Sequence, residues 1–363
     1  MTVALDRRSF LVGALTSPWL ASQLIVATDA DACVPPPPPT LDIHVHLFGV
    51  GDGGTGCRIA KSIREGLQFR YLMSLLRLQV AGKTIDERYE EVLAEQVQGS
   101  GLSQAAILGQ DAVYDGNGRP DWARTSFYVP NNHVFDVVGR HCHTMIACPS
   151  INPDRADALN ELACCHAKGA RLLKIHPPTQ GVNIADRKHA QFFRCCCEFN
   201  MVVLVHTGHE HSAPVIDKQL AAPSRLELAL DQGCTVVACH AGTGWVTDNP
   251  DFLPEFVSLL KRYPKLWGDT AVLGTVGRVR DFGRLLKFGH LPEEVDLVRS
   301  RLLHGSDFPF PAAPAAFATQ IGKGVADRLG EESNLLKKDF DLKEALGIGR
   351  VSAERSYKVA NVC

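Results

Sequence analysis

Eight short apolar runs recur along this chain, with amphipathic stretches between them, and no other feature restricts its fold as strongly. They are DIHVHL (42–47), AAILGQ (105–110), TMIACPSINP (144–153), RLLKIHPP (171–178), MVVLVHTG (201–208), TVVACHAG (235–242), KLWGDTA (265–271) and RLLHGSDFP (301–309). Runs apolar on both faces suit parallel strands, which are covered on both sides. Helices are expected between them, as over 155–168, ended by Gly169, and over 254–262. Strand and helix alternating eight times predict an α/β protein, a (β/α)₈ TIM barrel in preference to a doubly wound open sheet. After the first strand come the glycine cluster GVGDGGTG (49–56) and roughly forty residues at helical spacing. These predict a helical insertion after strand one, placed to act as a lid.

The barrel should begin near Thr40 and run to residue 363, preceded by a stiff proline-rich linker over 33–39. Residues 1–32 have the parts of an export signal. Arg7-Arg8 stand before Phe10-Leu11, no charged residue follows until Asp29, and Ala30-Asp31-Ala32 offers a cleavage site. The paired arginines match a twin-arginine signal and so predict export to the periplasm, with a cytoplasmic chain as the alternative. Contact with a membrane is expected only through this segment, should it stay uncleaved.

Twelve cysteines do not make a disulfide framework here, because Cys164-Cys165 and Cys195-Cys196-Cys197 are adjacent and no C-x-x-C spacing occurs. Most are read as small buried hydrophobes. With 38 basic and 40 acidic residues the chain carries no electrostatic footprint for nucleic acid. A small molecule is the expected partner, and a homo-oligomer is compatible with all of this.

In such a barrel chemistry gathers at the C-terminal ends of the strands, and that rule sorts the 14 histidines. Chance alone supplies about 0.5 His-x-His pairs at this composition, so the three present (44/46, 141/143 and 209/211) mean little by spacing. Position separates them. His44 and His46 end strand one, facing one side with Asp42 while Ile43, Val45 and Leu47 face the other. Lys174 and His176 end strand four, His206 strand five, His240 strand six, and Asp307 follows strand eight. His141 and His143 precede their strand, at the opposite rim. Separate rigid strands that each bring a His or Asp to one rim meet the needs of a divalent ion, which wants three or four N/O ligands and an open position.

Taken in order, DIHVHLFG, SINPDRADALNEL, GARLLKIHPPTQG, LVHTG, ACHAG and LLHGSDFP resemble the amidohydrolase superfamily. The nearer likeness is to the amidohydrolase-related family that includes aminocarboxymuconate-semialdehyde decarboxylase. It covers about residues 40–310; the helical insertion and the last fifty residues carry none of it. The resemblance implies that His44, His46, His206 and Asp307 ligate a principal ion, expected to be zinc, with one or two ions in all. It implies that His240 binds a second ion or acts as acid, base and electrophile beside the first. Lys174 would be carboxylated and bridge the ions in a two-metal site, or form a barrel-interior salt bridge, as to Asp307, in a one-metal site.

A metal lowers the pKa of bound water toward 7, Asp307 could accept its proton, and His240 could polarise a carbonyl. The first expectation is therefore a metal-dependent hydrolase of an ester, lactone or amide. The alternative is a metal-dependent non-oxidative decarboxylase of a small carboxylic acid, and a weaker one is a non-catalytic binding protein. Arg278 and Arg280 after strand seven, with His209 and His211 after strand five, are candidates to hold substrate. Asp269 and Asp111 could support the ligands from behind.

Overall fold

The computed structural model describes residues 37–360 apart from 246 and 290; the expected export signal lies outside the described residues. Eight parallel strands form the wall: β1 Leu41–His46, β2 Gln104–Leu108, β3 Met145–Cys148, β4 Leu172–Ile175, β5 Val202–His206, β6 Thr235–Cys239, β7 Leu266–Asp269 and β8 Leu302–Leu303. β1 pairs with β2 and β2 with β3, and β4 through β8 pair in chain order, all parallel. Two seams close the wall. Ser150 bridges to Lys174 and Val45 to Phe308, and the amide of Ile43 donates to the His304 carbonyl at 3.0 Å. The closed (β/α)₈ barrel is the α/β architecture the strand rhythm predicts.

Leu41, Ile43, Ala106, Leu108, Cys148, Leu172, Leu204, Val237, Cys239 and Leu303 form one buried cluster inside the barrel. Alternate residues, such as Leu173, Val203, Val236 and Leu302, pack instead against the surrounding helices. The strands are apolar on both faces because both faces are buried. In β1 the alternation breaks. Asp42 is opposite Ala105 and Val45 is opposite Ile107, so three steps of β1 match two of β2. This bulge corrects the expected sidedness: Ile43 joins the interior with Leu41, while Val45 and Leu47 pack outside.

The insertion is shorter than the sequence suggested. Helices Lys61–Arg64 and Leu67–Leu75 belong to it, but Ile85–Gln98 is a regular outer helix whose Tyr89, Leu93 and Val97 pack with Val45 and Ile107. Its start is fixed by a capping box, Thr84 with Glu87, which satisfies backbone amides that a helix leaves bare. The two later helices expected from sequence run over Ala158–Ala167 and Leu253–Arg262. The last helix, Gly349–Ala360, lies against the barrel floor: Ser356 Oγ accepts from the His304 amide at 2.8 Å, and Ala360 joins the interior cluster. All ten described cysteines are free. Among the described residues no helix is long and apolar enough to cross a membrane.

Candidate metal centre

Five imidazoles form a continuous arc across the C-terminal rim. Ring centroids are 5.1 Å apart for His46–His44, 5.1 Å for His44–His240, 4.7 Å for His240–His206 and 4.1 Å for His206–His176. Each ends a barrel strand or follows it directly, so the rigid wall sets their spacing. The bulge in β1 is what allows both of its histidines to face this rim after two interior apolar residues.

The tightest group is His44, His46 and Asp307. His44 Nε2 is 3.2 Å from His46 Nε2, and Asp307 Oδ1 is 3.2 Å from the first and 3.1 Å from the second. Three donors so close around one point fit a single divalent ion, whose ligands lie about 2.0–2.2 Å from it. The far side of His44 supports this. Its Nδ1 meets the buried Asp269 carboxylate at 2.8 Å, which fixes the proton there and turns the Nε2 lone pair to the site. Asp269 also accepts from the amides of His240 (2.7 Å) and Ala271 (3.1 Å), so one carboxylate orients two rim histidines.

Two of the rim residues are held in costly backbone geometry. His240 and Asp307 have φ of +63° and +66°, the left-handed region, which costs on the order of 1–3 kcal/mol per residue away from glycine. The Asp307 amide donates to the His44 carbonyl at 2.9 Å, locking β8 onto β1. Gly305 permits that approach, since a Cβ there would lie 2.8 Å from His44 Cβ.

Protonation matches the needs of metal binding. Burial and the neighbouring Lys174 charge push the His44 imidazole down to about 3, against the pull of Asp269 and Asp307. Burial also lowers His176 and His240, and takes His206 well below its ordinary value. Burial opposes ionisation of Asp307, but His44, His46 and His240 outweigh it and hold its carboxyl well below the usual range. At neutral pH His44, His176, His206 and His240 are neutral and Asp307 is charged, the forms that ligate.

His240 Nδ1 is 3.0 Å from the Ala271 carbonyl, which can only accept, so Nδ1 carries the proton and Nε2 is bare. That Nε2 lies 3.2 Å from His206 Nδ1. The resemblance set His206 with His44, His46 and Asp307; a ligand-capable atom of His206 also lies within 4.8 Å of those of His176 and Glu210. Lys174 is buried with Nζ 3.1 Å from His44 Nε2 and 3.2 Å from Cys239 Sγ, rather than paired with Asp307.

A cavity of about 730 Å³ opens over this arc. Its polar wall is His46, Lys174, His176, His206, His240 and Asp307; the facing wall is apolar, with Phe48, Phe69, Phe127 and Phe310. The insertion supplies Ile63, Leu67 and Leu72 to that wall.

The four substrate candidates fare differently. His211 lines the cavity, held by Asp248 at 2.8 Å. The other three do not line it. His209 is tied to the Pro250 carbonyl at 2.8 Å and stacks on Phe252. Arg278 is buried and donates to the His209 carbonyl at 3.2 Å. Arg280 is half-exposed beside Asp281. Both arginines lie in the helical turns after β7, Val276–Arg278 and Val279–Leu286. Asp111 supports a loop, accepting from the amides of Ala112 and Asn152 at 2.8 Å each. Sequence reasoning brought His176 to the rim without giving it a role, and passed over Glu210. The signal for His176 was its place two residues after Lys174; Glu210 was hidden inside His209-Glu210-His211.

A closed barrel with a histidine and aspartate cluster at the strand C-termini defines a metal-binding enzyme of the (β/α)₈ class. The chain belongs to the amidohydrolase family, whose model matches residues 41–343, beyond the span legible in the motifs. No curated protein matches it. Among solved structures it is similar to an uncharacterized TIM-barrel protein of Bordetella bronchiseptica, with a TM-score of 0.57 and 16% identity over 89% of this chain and 100% of that one. It is similar also to a candidate 2-pyrone-4,6-dicarboxylic acid hydrolase of Pseudomonas putida (TM-score 0.45, 15% identity, 89% and 97% covered). A third is a dihydroxybenzoic acid decarboxylase of Polaromonas sp., solved with manganese and 2-nitroresorcinol (TM-score 0.49, 13% identity, 90% and 98% covered). Such identities bear on the fold and not on the reaction.

Proposed function

We propose that this enzyme removes the carboxyl group of a small aromatic or unsaturated acid without oxidation, using one divalent ion at His44, His46 and Asp307. The observation that supports it is the pairing of one three-donor cluster with a cavity whose opposite wall is aromatic and apolar. A carboxylate taken from water into such a wall loses its hydration, and departure as neutral carbon dioxide relieves that cost. The aromatic side chains offer stacking surface to a planar body.

When bound, a divalent ion would supply positive charge that holds oxygen substituents of the substrate and draws electron density from it. The protein's own groups do the rest. Loss of carbon dioxide leaves an electron pair on carbon, and a proton must fill it. His240 is the group placed to relay that proton: the Ala271 carbonyl holds Nδ1–H, so the bare Nε2 can take a proton from water in the cavity that His240 lines and pass it to carbon. Asp269 holds His44 and His240 in register throughout.

A second reading, hydrolysis of an ester, lactone or amide, is favoured by one contact: Lys174 Nζ is 3.1 Å from His44 Nε2, where a carboxylated lysine could bridge two ions. The deciding experiment incubates metal-loaded enzyme with a panel of hydroxybenzoic and muconate-type acids and with aryl esters and lactones. Release of carbon dioxide supports the first reading; acid release from the esters or lactones, without carbon dioxide from any acid, replaces it with the second. Zinc and manganese are compared by reloading the stripped protein.

A further inference from the structure

Next to the first cluster lies a second one. His176, His206 and Glu210 bring ligand-capable atoms within 4.8 Å of one another. All three line the cavity, and their side chains are only 5 to 7% exposed. His176 Nε2 is 3.1 Å from Glu210 Oε2, and His206 Nδ1 is 3.8 Å from the same oxygen. Ligands about 2.0–2.2 Å from a common ion stand about this far apart.

The loop after β5 prepares Glu210 for that role. Its Oε1 accepts from the Ser212 amide and hydroxyl, both at 2.5 Å, and from the Ala213 amide at 3.2 Å. With Oε1 anchored three times, Oε2 is the oxygen left to face the imidazoles. The histidines, in turn, carry nitrogens with nothing to bond. His176 Nδ1 and His206 Nε2 are buried without a hydrogen-bond partner, and His176 Nε2 has only the Glu210 carboxylate, 3.1 Å away. Buried polar atoms are rarely left so, because each bare one is costly.

We infer that His176, His206 and Glu210 form a second divalent-cation site, built without a carboxylated lysine and open toward the cavity. A set of two histidines and one glutamate leaves room for a further ligand from substrate or water. The site goes beyond the decarboxylase reading, and its test does not pass through that activity.

The test is metal content of the full-length protein, stripped with chelator, reloaded with zinc or manganese chloride and desalted. The wild type is expected to hold about two equivalents per chain. Glu210→Gln and His176→Gln should each hold about one and keep the wild-type circular dichroism spectrum, while Lys174→Ala should still hold about two. Asp307→Asn should lose the other equivalent. The inference is overturned by a wild type that binds one ion, by Glu210→Gln retaining both, or by Lys174→Ala losing the second ion. The last result would mark a lysine-bridged pair instead. Should Glu210→Gln fail to fold, His176→Gln decides by the same count. A protein with two ions that releases no carbon dioxide would leave this site standing and remove the decarboxylase reading.

Discussion

His44 and Asp269 are joined across the barrel, Nδ1 to Oδ2 at 2.8 Å, with both side chains fully buried. The strand that supplies His44 thus depends on a carboxylate 225 residues away in sequence. Replacing Asp269 with Asn should free the His44 ring to turn and weaken metal affinity by about 10- to 100-fold. Competition against a chromophoric chelator measures it; an unchanged affinity would show that His44 needs no such partner.

His240 is expected to act on protons rather than to hold the first ion. His240→Gln should therefore lower turnover by about 10²- to 10⁴-fold with the ion at His44, His46 and Asp307 retained. Metal analysis and kcat on the same preparation separate the two roles, and loss of that ion would refute the assignment.

Acid should destabilise the stripped protein through its buried histidines, against a smaller opposing gain from Asp42 and Asp339, whose carboxyls burial raises to about 7 and about 6. The folded state holds His44 at about 3, lowers His176 and His240, and takes His206 and His304 well below their ordinary value, burial being the leading cause in each. Unfolded histidines titrate near 6.5, so below that pH the unfolded chain binds more protons and stability falls with pH until the folded values are reached. Each such histidine contributes a slope of up to about 1.4 kcal/mol per pH unit. Urea unfolding of chelator-treated protein at pH 7.5 and 5.5 reads this directly. Equal or greater stability at 5.5 would contradict it.

Lys343 ties the helix Leu335–Ala345 to the C-terminal end of β8. Its fully buried Nζ donates to Asp339 at 2.5 Å and to the Gly305 carbonyl at 2.6 Å. Lys343→Ala would strand a buried carboxylate and should cost about 3–5 kcal/mol, whereas Lys343→Met with Asp339→Leu should cost much less. Thermal unfolding of the single and double variants checks this; equal losses would show that packing, not charge, is at stake.

The eight strands, their order and the rim at which each histidine emerges were all legible in the sequence. Apolar runs of strand length are local signals, and a closed parallel barrel is the one arrangement that buries eight of them on both faces. Residue types at strand ends therefore identified His44, His46, His206, His240, Lys174 and Asp307 as neighbours. Which of them stand in one cluster was not legible. That depends on where each ring points, and the rings are aimed by groups remote in sequence: Asp269 behind His44, the Ala271 carbonyl behind His240, the Ser212-anchored Glu210 beside His176. The bulge that turns His44 toward the rim also escaped the alternation rule, because period two carries no record of an inserted residue. Local pattern determined the barrel and the histidines and aspartate at its rim; only the tertiary contacts decided which of them cluster, since an imidazole's direction is set by the partner on its far nitrogen.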